Sequence, residues 1–392
     1  MSPRHVNCGY VPLVDCAPLI IARELTFAAD EGLELNLLRQ PSWAALRDLL
    51  ALGHLDAAHM LSPMPAAMSL GLSGMTVQVD AHMVLSVNGT VFGVSKAIAE
   101  QMRGAGWNGG FNDPRGTACA LLRDRNTPLR VGVPFPFSMH RLLFEYWMSA
   151  ELGVTDQSFE IITTPPPLMA DAVGAGALDV FCVGEPWGSI AVEADVGELI
   201  LPGAAIWQFA PEKVLGMRRD WADQNQSVAG ALMRAVYRAA EWLDTPGNAA
   251  LACEILARSE HLDLSQTAID HALSGNILTR LGGAPVSVNN FLKFHRAAAN
   301  FPWRSQAAWI ANQIAIHQGI DPSRTVITGE ACFRPDLYRD HLASSGVDLP
   351  GASSKLEGGM QHRTAVASTR GHMILGPDAF FDSKTFEFAP ND

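Results

Sequence analysis

The sequence predicts an α/β protein with two similar lobes and a ligand cleft between them. Three observations favour this fold. The chain has 392 residues, which is long enough for two domains with substantial cores. Its first two-thirds alternate short apolar runs with amphipathic helical stretches, as is typical of parallel sheets with crossover helices. In addition, one short sequence pattern occurs twice along the chain, which indicates two lobes of similar construction.

Eight apolar segments are predicted as strands, and helices follow most of them. These segments are Val6–Leu13, Leu33–Leu38, Ala57–Leu61, Met83–Phe92, Leu129–Val133, Phe159–Ile162, Val180–Val183 and Val214–Met217. The Gly-, Asn- and Arg-rich stretch Gly104–Asn126 is predicted as a surface loop. Helices are expected to dominate from Ser227 to about Ile316. Beyond Leu349 we expect an extended tail in which Phe380–Phe388 packs back on the body.

The repeated pattern is Gly-x-Leu-Asp, followed by an apolar run and a proline. It occurs as Gly53–Pro63 and again as Gly176–Pro186. Each copy is predicted to contain a helix end, a glycine turn, a strand and a proline in the first turn of the next helix. Because the preceding helices also align, Trp43 is expected to occupy the same place in one lobe as Pro166 does in the other.

Ligands of such sheets bind beyond the carboxyl ends of the strands, where the N-termini of helices point. The corresponding segments are Pro12–Ala17, Gln40–Trp43, Leu61–Pro63, Pro134–His140, Thr164–Pro167 and Gly184–Pro186. All are rich in Pro, Ser or Gly, as are segments that bind anions through backbone N–H groups. The sequence therefore predicts a small anion as the ligand.

Composition narrows the range of partners. The formal net charge of −12 argues against direct nucleic-acid binding, and it requires a locally positive pocket for an anionic ligand.

The first residues lack a basic start followed by an apolar run, and no stretch approaches ~18 consecutive apolar residues, so neither an export signal nor a membrane span is predicted. The six cysteines are scattered without a C-x-x-C pair, which indicates neither a zinc site nor a disulfide framework. We therefore expect a cytoplasmic protein.

Seven segments match motifs of one known family. They are Ser42–Ala44, Asp56–Pro65, Pro165–Pro167, Phe181–Trp187, Pro211–Met217, Pro302–Ser305 and Phe380–Phe386. In these segments the chain resembles the nitrate/bicarbonate-binding proteins of bacterial ABC transporters, and the match runs over nearly the whole chain. The resemblance implies the type II periplasmic-binding-protein fold, with two doubly wound α/β lobes and a ligand cleft between them. The expected lobes are residues 1–88 plus 215–392 and residues 89–214.

The predicted lack of an export signal distinguishes this sequence from the transport members of the family. The resemblance then implies the cytoplasmic nitrate/nitrite sensor branch, of NasS type. In that branch the binding protein holds an RNA-binding antiterminator of the ANTAR class and releases it when nitrate or nitrite binds. The alternative is the substrate-binding component of a nitrate/nitrite or bicarbonate ABC transporter. Neighbouring genes for an ANTAR-type regulator would favour sensing, whereas a permease and an ATPase would favour transport.

An enzyme is the more distant alternative, because the same fold includes a thiamine-pyrimidine synthase. That activity would need a lysine for pyridoxal phosphate and a cysteine-rich motif, and neither spacing is present in the sequence. Nucleophile-elbow, phosphate-loop and H-E-x-x-H motifs are missing too. We therefore expect no catalytic residues and no cofactor.

Two residues are the principal candidates for binding the anion. Lys213 lies at the entry to an apolar strand, and from the residues alone it could also be a surface lysine beside Glu212. His140 follows Ser138, a good N-cap, so it lies in the first helical turn near free backbone N–H groups, where it could instead cap or pack. The resemblance implies that both residues bind the ligand, and that a carboxylate in the Lys213 region would favour bicarbonate.

Four further residues are expected to line the site. Trp43 follows the N-cap Ser42, and its indole N–H can only donate a hydrogen bond, although the ring could simply fill the lobe interface. Thr90 stands where the family has a glutamine, which places its contact in doubt and could change nitrate/nitrite preference. Pro166 and Gly184 would contribute backbone shape, although both residue types also occur as ordinary turn residues.

Acidic residues near the cleft are expected to have supporting roles. Asp15 and Glu185 are interpreted as helix N-terminal groups that touch ligand-binding residues rather than the anion. The sequence contains no D-x-D-x-D loop, so no metal is predicted. His59 lies within an apolar strand and is interpreted as a hydrogen-bonded core histidine.

Overall fold

The computed structural model describes residues 3–123, 127–152 and 158–387, with side chains except at 151 and 152. Its strands are β1 (Arg4–Tyr10), β2 (Leu33–Arg39), β3 (Ala57–Leu61), β4 (Val79–Asn88), β5 (Thr90–Ser95), β6 (Leu129–Val133), β7 (Phe159–Thr163), β8 (Val180–Gly184), β9 (Gly197–Pro202), β10 (Pro211–Arg218), β11 (Asn276–Ile277), β12 (Val286–Ser287), β13 (Leu292–Lys293), β14 (Thr364–Ser368) and β15 (Gly371–Leu375).

Helices cover these strands and form most of the chain after β10. They are α1 (Ala17–Glu24), α2 (Phe27–Asp30), α3 (Trp43–Ala51), α4 (Met64–Ser69), α5 (Lys96–Gly104), α6 (Pro114–Leu122), α7 (Met139–Leu152), α8 (Met169–Gly174), α9 (Trp187–Glu193), α10 (Arg219–Gln224), α11 (Gln226–Leu243), α12 (Ala249–Ala257), α13 (Gln266–Ser274), α14 (Arg304–Gln318), α15 (Pro322–Glu330) and α16 (Pro335–Leu342). Short 3-10 turns occur at Val14–Cys16, Pro166–Leu168, Gly203–Ala205 and Ala343–Ser345.

Two mixed sheets form the centres of two lobes. The first has the strand order β13-β4-β10-β3-β1-β2, and the second has the order β7-β6-β8-β5-β9. Within each sheet the βα units pair in parallel, whereas β4 and β10 in the first sheet and β5 in the second run antiparallel to their neighbours. The predicted two-lobed α/β architecture is confirmed.

The internal repeat has the expected structure in both lobes. Gly53 follows α3 with a φ of 80°, and Gly176 follows α8 with a φ of 70°, so both turns use the left-handed region that glycine adopts freely. Pro63 and Pro186 are the N-caps of α4 and α9. The repeat thus marks equivalent helix–turn–strand–helix units.

The predicted strand Met83–Phe92 is wrong as a single element. The chain leaves the first sheet at Asn88 and enters the second at Thr90, and the turn has positive φ at Asn88 (63°) and Gly89 (89°). The residues of β4, and all but the last residue of β5, are buried, because helices and neighbouring strands cover both faces of each sheet. A continuous apolar run therefore contains the crossing, and the expected lobe boundary at residues 88 and 89 falls in the same turn.

The second crossing lies earlier than the predicted boundary at residues 214 and 215. Strand β9 ends at Pro202 in the second sheet, and β10 already pairs with β4 from Pro211 onward. Asn88 joins the two crossings, because its side chain donates to the Gln208 carbonyl at 3.0 Å and accepts from the Ala210 N–H at 3.1 Å.

Three further expectations need correction. Strand β9 was not predicted, although it is buried in the second sheet. The segment Gly104–Asn126 is not a plain loop, because it contains helix α6, begun by Asp113 as its N-cap; residues 124–126 lie outside the described residues. The chain beyond Leu349 contains the β14–β15 ribbon.

Segments that follow β10 contact the second lobe as well as the first. The Leu199 N–H donates to the Thr279 carbonyl at 2.8 Å, and the Tyr146 hydroxyl donates to Asp382 at 2.9 Å. Phe380 is buried and stacks on Trp207 with ring centroids 4.8 Å apart. The expected packing of Phe380 against the body is confirmed, and Phe388 lies outside the described residues.

Two further findings concern the described ranges. None of their helices is long and apolar enough to cross a membrane. All six cysteines are free; Cys119 is exposed and the others are buried.

Candidate ligand-binding site

The first lobe places a buried ammonium at the edge facing the second lobe. Lys213 on β10 pairs with Leu61 of β3 on one side and with Ser86 of β4 on the other, so its strand lies inside the sheet. Its side chain is fully buried. The ammonium Nζ lies 2.7 Å from Asp15 Oδ2 and 2.8 Å from Glu212 Oε1. The interpretation of Lys213 as a surface lysine is therefore wrong.

Asp15 connects Lys213 to a second buried residue. It lies in the 3-10 turn between β1 and α1, and its Oδ1 is 2.9 Å from His59 Nε2. Burial alone would raise the pKa of Asp15, but the Lys213 ammonium and the His59 hydrogen bond lower it to about 2. For Lys213 burial opposes the charge, yet the two adjacent carboxylates raise its pKa. Both groups are consequently charged at neutral pH.

Trp43 is the first residue of α3, and its ring lies beside this charged group. Ser42 caps the helix by accepting the Ala45 N–H at 3.2 Å, as the sequence predicts. The Lys213 Nζ lies 5.4 Å from the centroid of the Trp43 ring, which stands 5.4 Å from the His59 ring. The Trp43 side chain therefore lies at the charged centre of the first lobe.

The second lobe contributes His140, Thr90 and Gly184. His140 is the second residue of α7, whose first turn is capped by Ser138 accepting the Arg141 N–H at 3.2 Å. Thr90 begins β5 and pairs with Gly184 at the end of β8. A Cβ added at Gly184 would lie 2.7 Å from Leu13 Cδ2 and 3.6 Å from His140 Nε2. Glycine thus permits a close approach of the two lobes.

One contact connects the charged groups of the two lobes. His140 Nδ1 lies 3.3 Å from Glu212 Oε1, although the two atoms are not aligned for a hydrogen bond. Burial, with a further contribution from the Lys213 charge, lowers the pKa of His140 to about 4. The imidazole is therefore neutral at pH 7, and its 3.3 Å approach to Glu212 is a close contact rather than a hydrogen bond.

Several buried polar atoms at this place have no hydrogen-bond partner among the described residues. They are Trp43 Nε1, Thr90 Oγ1, His59 Nδ1 and both ring nitrogens of His140. Buried polar groups are normally hydrogen-bonded, and each exception requires a cause such as a ligand. These atoms come from both lobes and accompany a buried ammonium, which suits an anion with several acceptor oxygens.

The structure thus brings five of the six predicted residues into one group: Trp43, Thr90, His140, Gly184 and Lys213. Pro166 begins the 3-10 turn after β7 and is buried, but none of the contacts given above involves it, so its place in the site stays a prediction.

Asp15 contacts the ligand-binding candidate Lys213, as expected, and His59 is a buried histidine hydrogen-bonded to Asp15, also as expected. The role of Glu212 was missed, because it contacts both Lys213 and His140. Titratable side chains inside otherwise apolar strands and turns were the available signal. Glu185, by contrast, accepts the Ser189 N–H at 3.1 Å, and burial raises its pKa to about 7. Among the described residues no group of three or more His, Cys, Asp or Glu side chains is arranged to hold a metal ion.

Comparison with known families identifies the chain. The model of the NMT1-like family matches residues 1–257. This protein belongs to the NMT1-like family. Among its relatives is the nitrate/nitrite binding protein NrtA of Synechococcus elongatus, which is 30% identical over 98% of this chain and 84% of that protein. The nitrate import ATP-binding protein NrtC of Synechocystis is 33% identical over 88% of this chain, but the chain spans only about half of it (51%).

Solved structures agree with this membership. The periplasmic nitrate-binding protein NrtA from Synechocystis superimposes with a TM-score of 0.84 at 28% identity, covering 98% of this chain and 96% of that one. A ligand-binding component of an import system from Staphylococcus aureus has a TM-score of 0.63 at 19% identity, covering 86% of this chain and 99% of that one, and supports the fold alone. The periplasmic-binding-protein type II fold implied by the sequence is confirmed.

Proposed function

We propose that this NMT1-like protein binds nitrate or nitrite between its two lobes. The observation that carries the proposal is the buried Lys213 ammonium in a group of residues from both lobes, of which Trp43, Thr90 and His140 have buried polar atoms without a hydrogen-bond partner among the described residues. Nitrate is a planar monoanion with three acceptor oxygens, so it can receive hydrogen bonds from both lobes at once. The names of the NrtA relatives support the same ligand.

The proposal includes binding without turnover. Lys213 and His140 could exchange protons with a ligand, but no nucleophile with an activating base accompanies them among the contacts of the site. Neither a cofactor nor a metal is part of the proposal. Nitrate incubated with the protein should be recovered unchanged.

Isothermal titration of the wild-type protein tests the ligand. Nitrate and nitrite should bind with micromolar or tighter dissociation constants, whereas chloride, which lacks several separated acceptor oxygens, should bind far more weakly. Bicarbonate is the discriminating competitor. Binding of bicarbonate in preference to nitrate and nitrite would contradict the proposal.

We further propose that the closed lobes report the ligand to a protein partner in the cytoplasm. The proposal is motivated by the family resemblance, because that family includes a sensor branch in which an ANTAR-type antiterminator is held without ligand and released with it. A ligand can shift such an equilibrium only by its different affinity for the two states, so nitrate and antiterminator should weaken each other's binding equally. Equal nitrate affinities with and without the antiterminator would contradict the sensor role.

Transport is the second candidate role, and the NrtC relative favours it. In that ATP-binding protein a segment similar to this chain occupies about half of the length, which associates this kind of domain with an import ATPase. A transport component should bind a permease–ATPase complex and stimulate its ATP hydrolysis when nitrate is present. Stimulation without any antiterminator binding would select transport over sensing.

A further inference from the structure

The charges inside the site do not balance once an anion enters. Lys213 supplies one positive charge, whereas Asp15 and Glu212 supply two carboxylates within 2.8 Å of its ammonium. His140 and His59 add no charge at neutral pH, because burial lowers the pKa of both. At the formal charges of Lys213, Asp15 and Glu212 the group sums to −1, and a bound monoanion would make the sum −2. In a buried site of low dielectric such an excess of like charge is strongly unfavourable.

His140 is placed to correct this imbalance. Its Nδ1 lies 3.3 Å from Glu212 Oε1, and its Nε2 has no hydrogen-bond partner among the described residues. A protonated imidazole donates from both nitrogens. One N–H would then face the Glu212 carboxylate, and the other would remain for an oxygen of the ligand.

We propose that the anion binds together with one proton, that His140 receives this proton, and that Glu212 is the residue that positions the resulting imidazolium. This inference rests on the proposed nitrate or nitrite site and extends it. No bond of the ligand changes, since the proton comes from solvent and returns to it on release. The ligand of the closed site is thus the anion plus a proton held by the protein.

The other charged groups near His140 are consistent with this assignment. Its charge is affected by Glu212 and Lys213 on β10 and by Asp15 in the turn before α1. Glu212 and Asp15 favour the imidazolium and Lys213 opposes it, so a second anion on the Nε2 side would tip the balance toward protonation.

Two neighbouring groups are weaker candidates for the proton. His59 already places Nε2 against Asp15, so a second proton would go to Nδ1, which has no partner among the described residues. Glu185 has a pKa raised to about 7 by burial and could also take up a proton near neutral pH. Its Oε2 accepts from Ser189, and its charge is not among those that act on His140.

Calorimetry of the wild-type protein measures the proton directly. Nitrate is titrated at pH 7 in buffers that differ in their ionisation enthalpy. The observed binding enthalpy is plotted against the buffer ionisation enthalpy, and the slope gives the number of protons taken up per nitrate. We expect about one proton per nitrate. Because nitrate is the anion of a strong acid and does not titrate, its dissociation constant should rise about tenfold per pH unit between pH 6.5 and 8.

The outcomes separate this inference from the function on which it rests. Nitrate binding with a slope of zero and an affinity independent of pH would overturn the inference and leave the proposed function intact. Absence of nitrate and nitrite binding at every pH would overturn both.

Two variants locate the proton. Glu212→Gln removes one negative charge, so proton uptake should fall toward zero. Nitrate binding at pH 8 should then become at least as tight as in wild type. If Glu212 had only a structural role, the substitution would instead weaken nitrate binding at every pH. Glu185→Gln is the matched carboxyl-to-amide control and should keep the wild-type slope. An unchanged slope in Glu212→Gln, or a lost slope in Glu185→Gln, would overturn the assignment.

An NMR measurement tests the protonation of His140 in the wild-type protein itself. In protein labelled with ¹⁵N-histidine, the His140 ring signals, identified by their loss in His140→Asn, should move from the neutral to the imidazolium pattern when nitrate is added to wild type at pH 7. A neutral pattern at saturating nitrate would overturn the proposal.

Discussion

The two lobes contribute to the site in different ways. In the first lobe the charged groups of the site have partners: Lys213 contacts Asp15 and Glu212, and Asp15 also accepts a hydrogen bond from His59. In the second lobe the side chains of Thr90 and His140 are buried, uncharged at neutral pH and without side-chain hydrogen bonds among the described residues. The charged groups of the first lobe are thus paired before any ligand binds, whereas the polar side chains of the second lobe have no partner. A ligand that bridges the lobes is the arrangement that satisfies both.

The largest effect is expected from removing the positive charge of Lys213. Lys213→Glu places a third carboxylate beside Asp15 and Glu212, so nitrate binding should be lost. Breaking a buried ion pair in this way should also destabilise the fold by about 3–5 kcal/mol. Isothermal titration and thermal unfolding measure the two effects.

Two further variants control that experiment. Lys213→Gln has no added carboxylate and should lose nitrate binding at a smaller cost in stability. Lys96→Glu, which breaks the exposed pair with Asp195, should leave the affinity unchanged. Retained micromolar affinity in both Lys213 variants would remove this residue from the site.

The second-largest loss of nitrate affinity is expected from removing the indole N–H of Trp43, beside Lys213. Trp43→Phe keeps the ring but deletes the unpartnered indole N–H. A hydrogen bond to a charged ligand is worth about 1.5–3 kcal/mol, so nitrate affinity should fall roughly tenfold to hundredfold. Stability without ligand should not fall, because the deleted N–H had no partner. Trp303→Phe removes another buried, unpartnered indole N–H outside the site and should change neither quantity.

Close approach of the lobes can be tested at Gly184. A methyl group there would lie 2.7 Å from Leu13 Cδ2 and would occupy space next to His140 Nε2. Gly184→Ala should therefore weaken nitrate binding about tenfold by holding the lobes apart. Gly104→Ala, where the added carbon meets nothing within 4 Å, is the matched control. Equal affinities of the two variants would show that closure does not depend on this glycine.

The smallest effect is expected at Thr90. Thr90→Val keeps the shape and deletes a hydroxyl that must lose its rotational freedom to bind, so the loss should be about 0.5–1.5 kcal/mol, or roughly twofold to tenfold. Thr117→Val, at another buried hydroxyl without a partner in the described residues, should not change nitrate affinity. A hundredfold loss at Thr90 would instead make the two lobes equal contributors.

Much of the fold follows from local sequence signals. The strands Ala57–Leu61 and Leu129–Val133 have the predicted bounds, and Ser42 and Ser138 cap the helices that carry Trp43 and His140. Serine caps and apolar runs are set by residues close together in the sequence, so they can be recognised from the sequence alone.

Features that depend on tertiary structure could be predicted only in part. A lobe boundary was expected at residues 88 and 89, but the apolar run Met83–Phe92 was predicted as one strand, because periodicity cannot indicate which sheet a strand joins. Asp15 meets both Lys213 and His59 only when β1, β3 and β10 lie side by side, so these particular pairs could not be inferred from the sequence. The five site residues that were predicted came from the family resemblance, with the capped helices as local support.

A crystal structure of the protein grown with nitrate would show whether the ligand bridges the two lobes. We expect one nitrate enclosed between the lobes, with oxygens within hydrogen-bond distance of Lys213 Nζ and Trp43 Nε1 from the first lobe and of His140 Nε2 and Thr90 Oγ1 from the second. A nitrate bound to one lobe alone, or elsewhere on the molecule, would contradict this expectation.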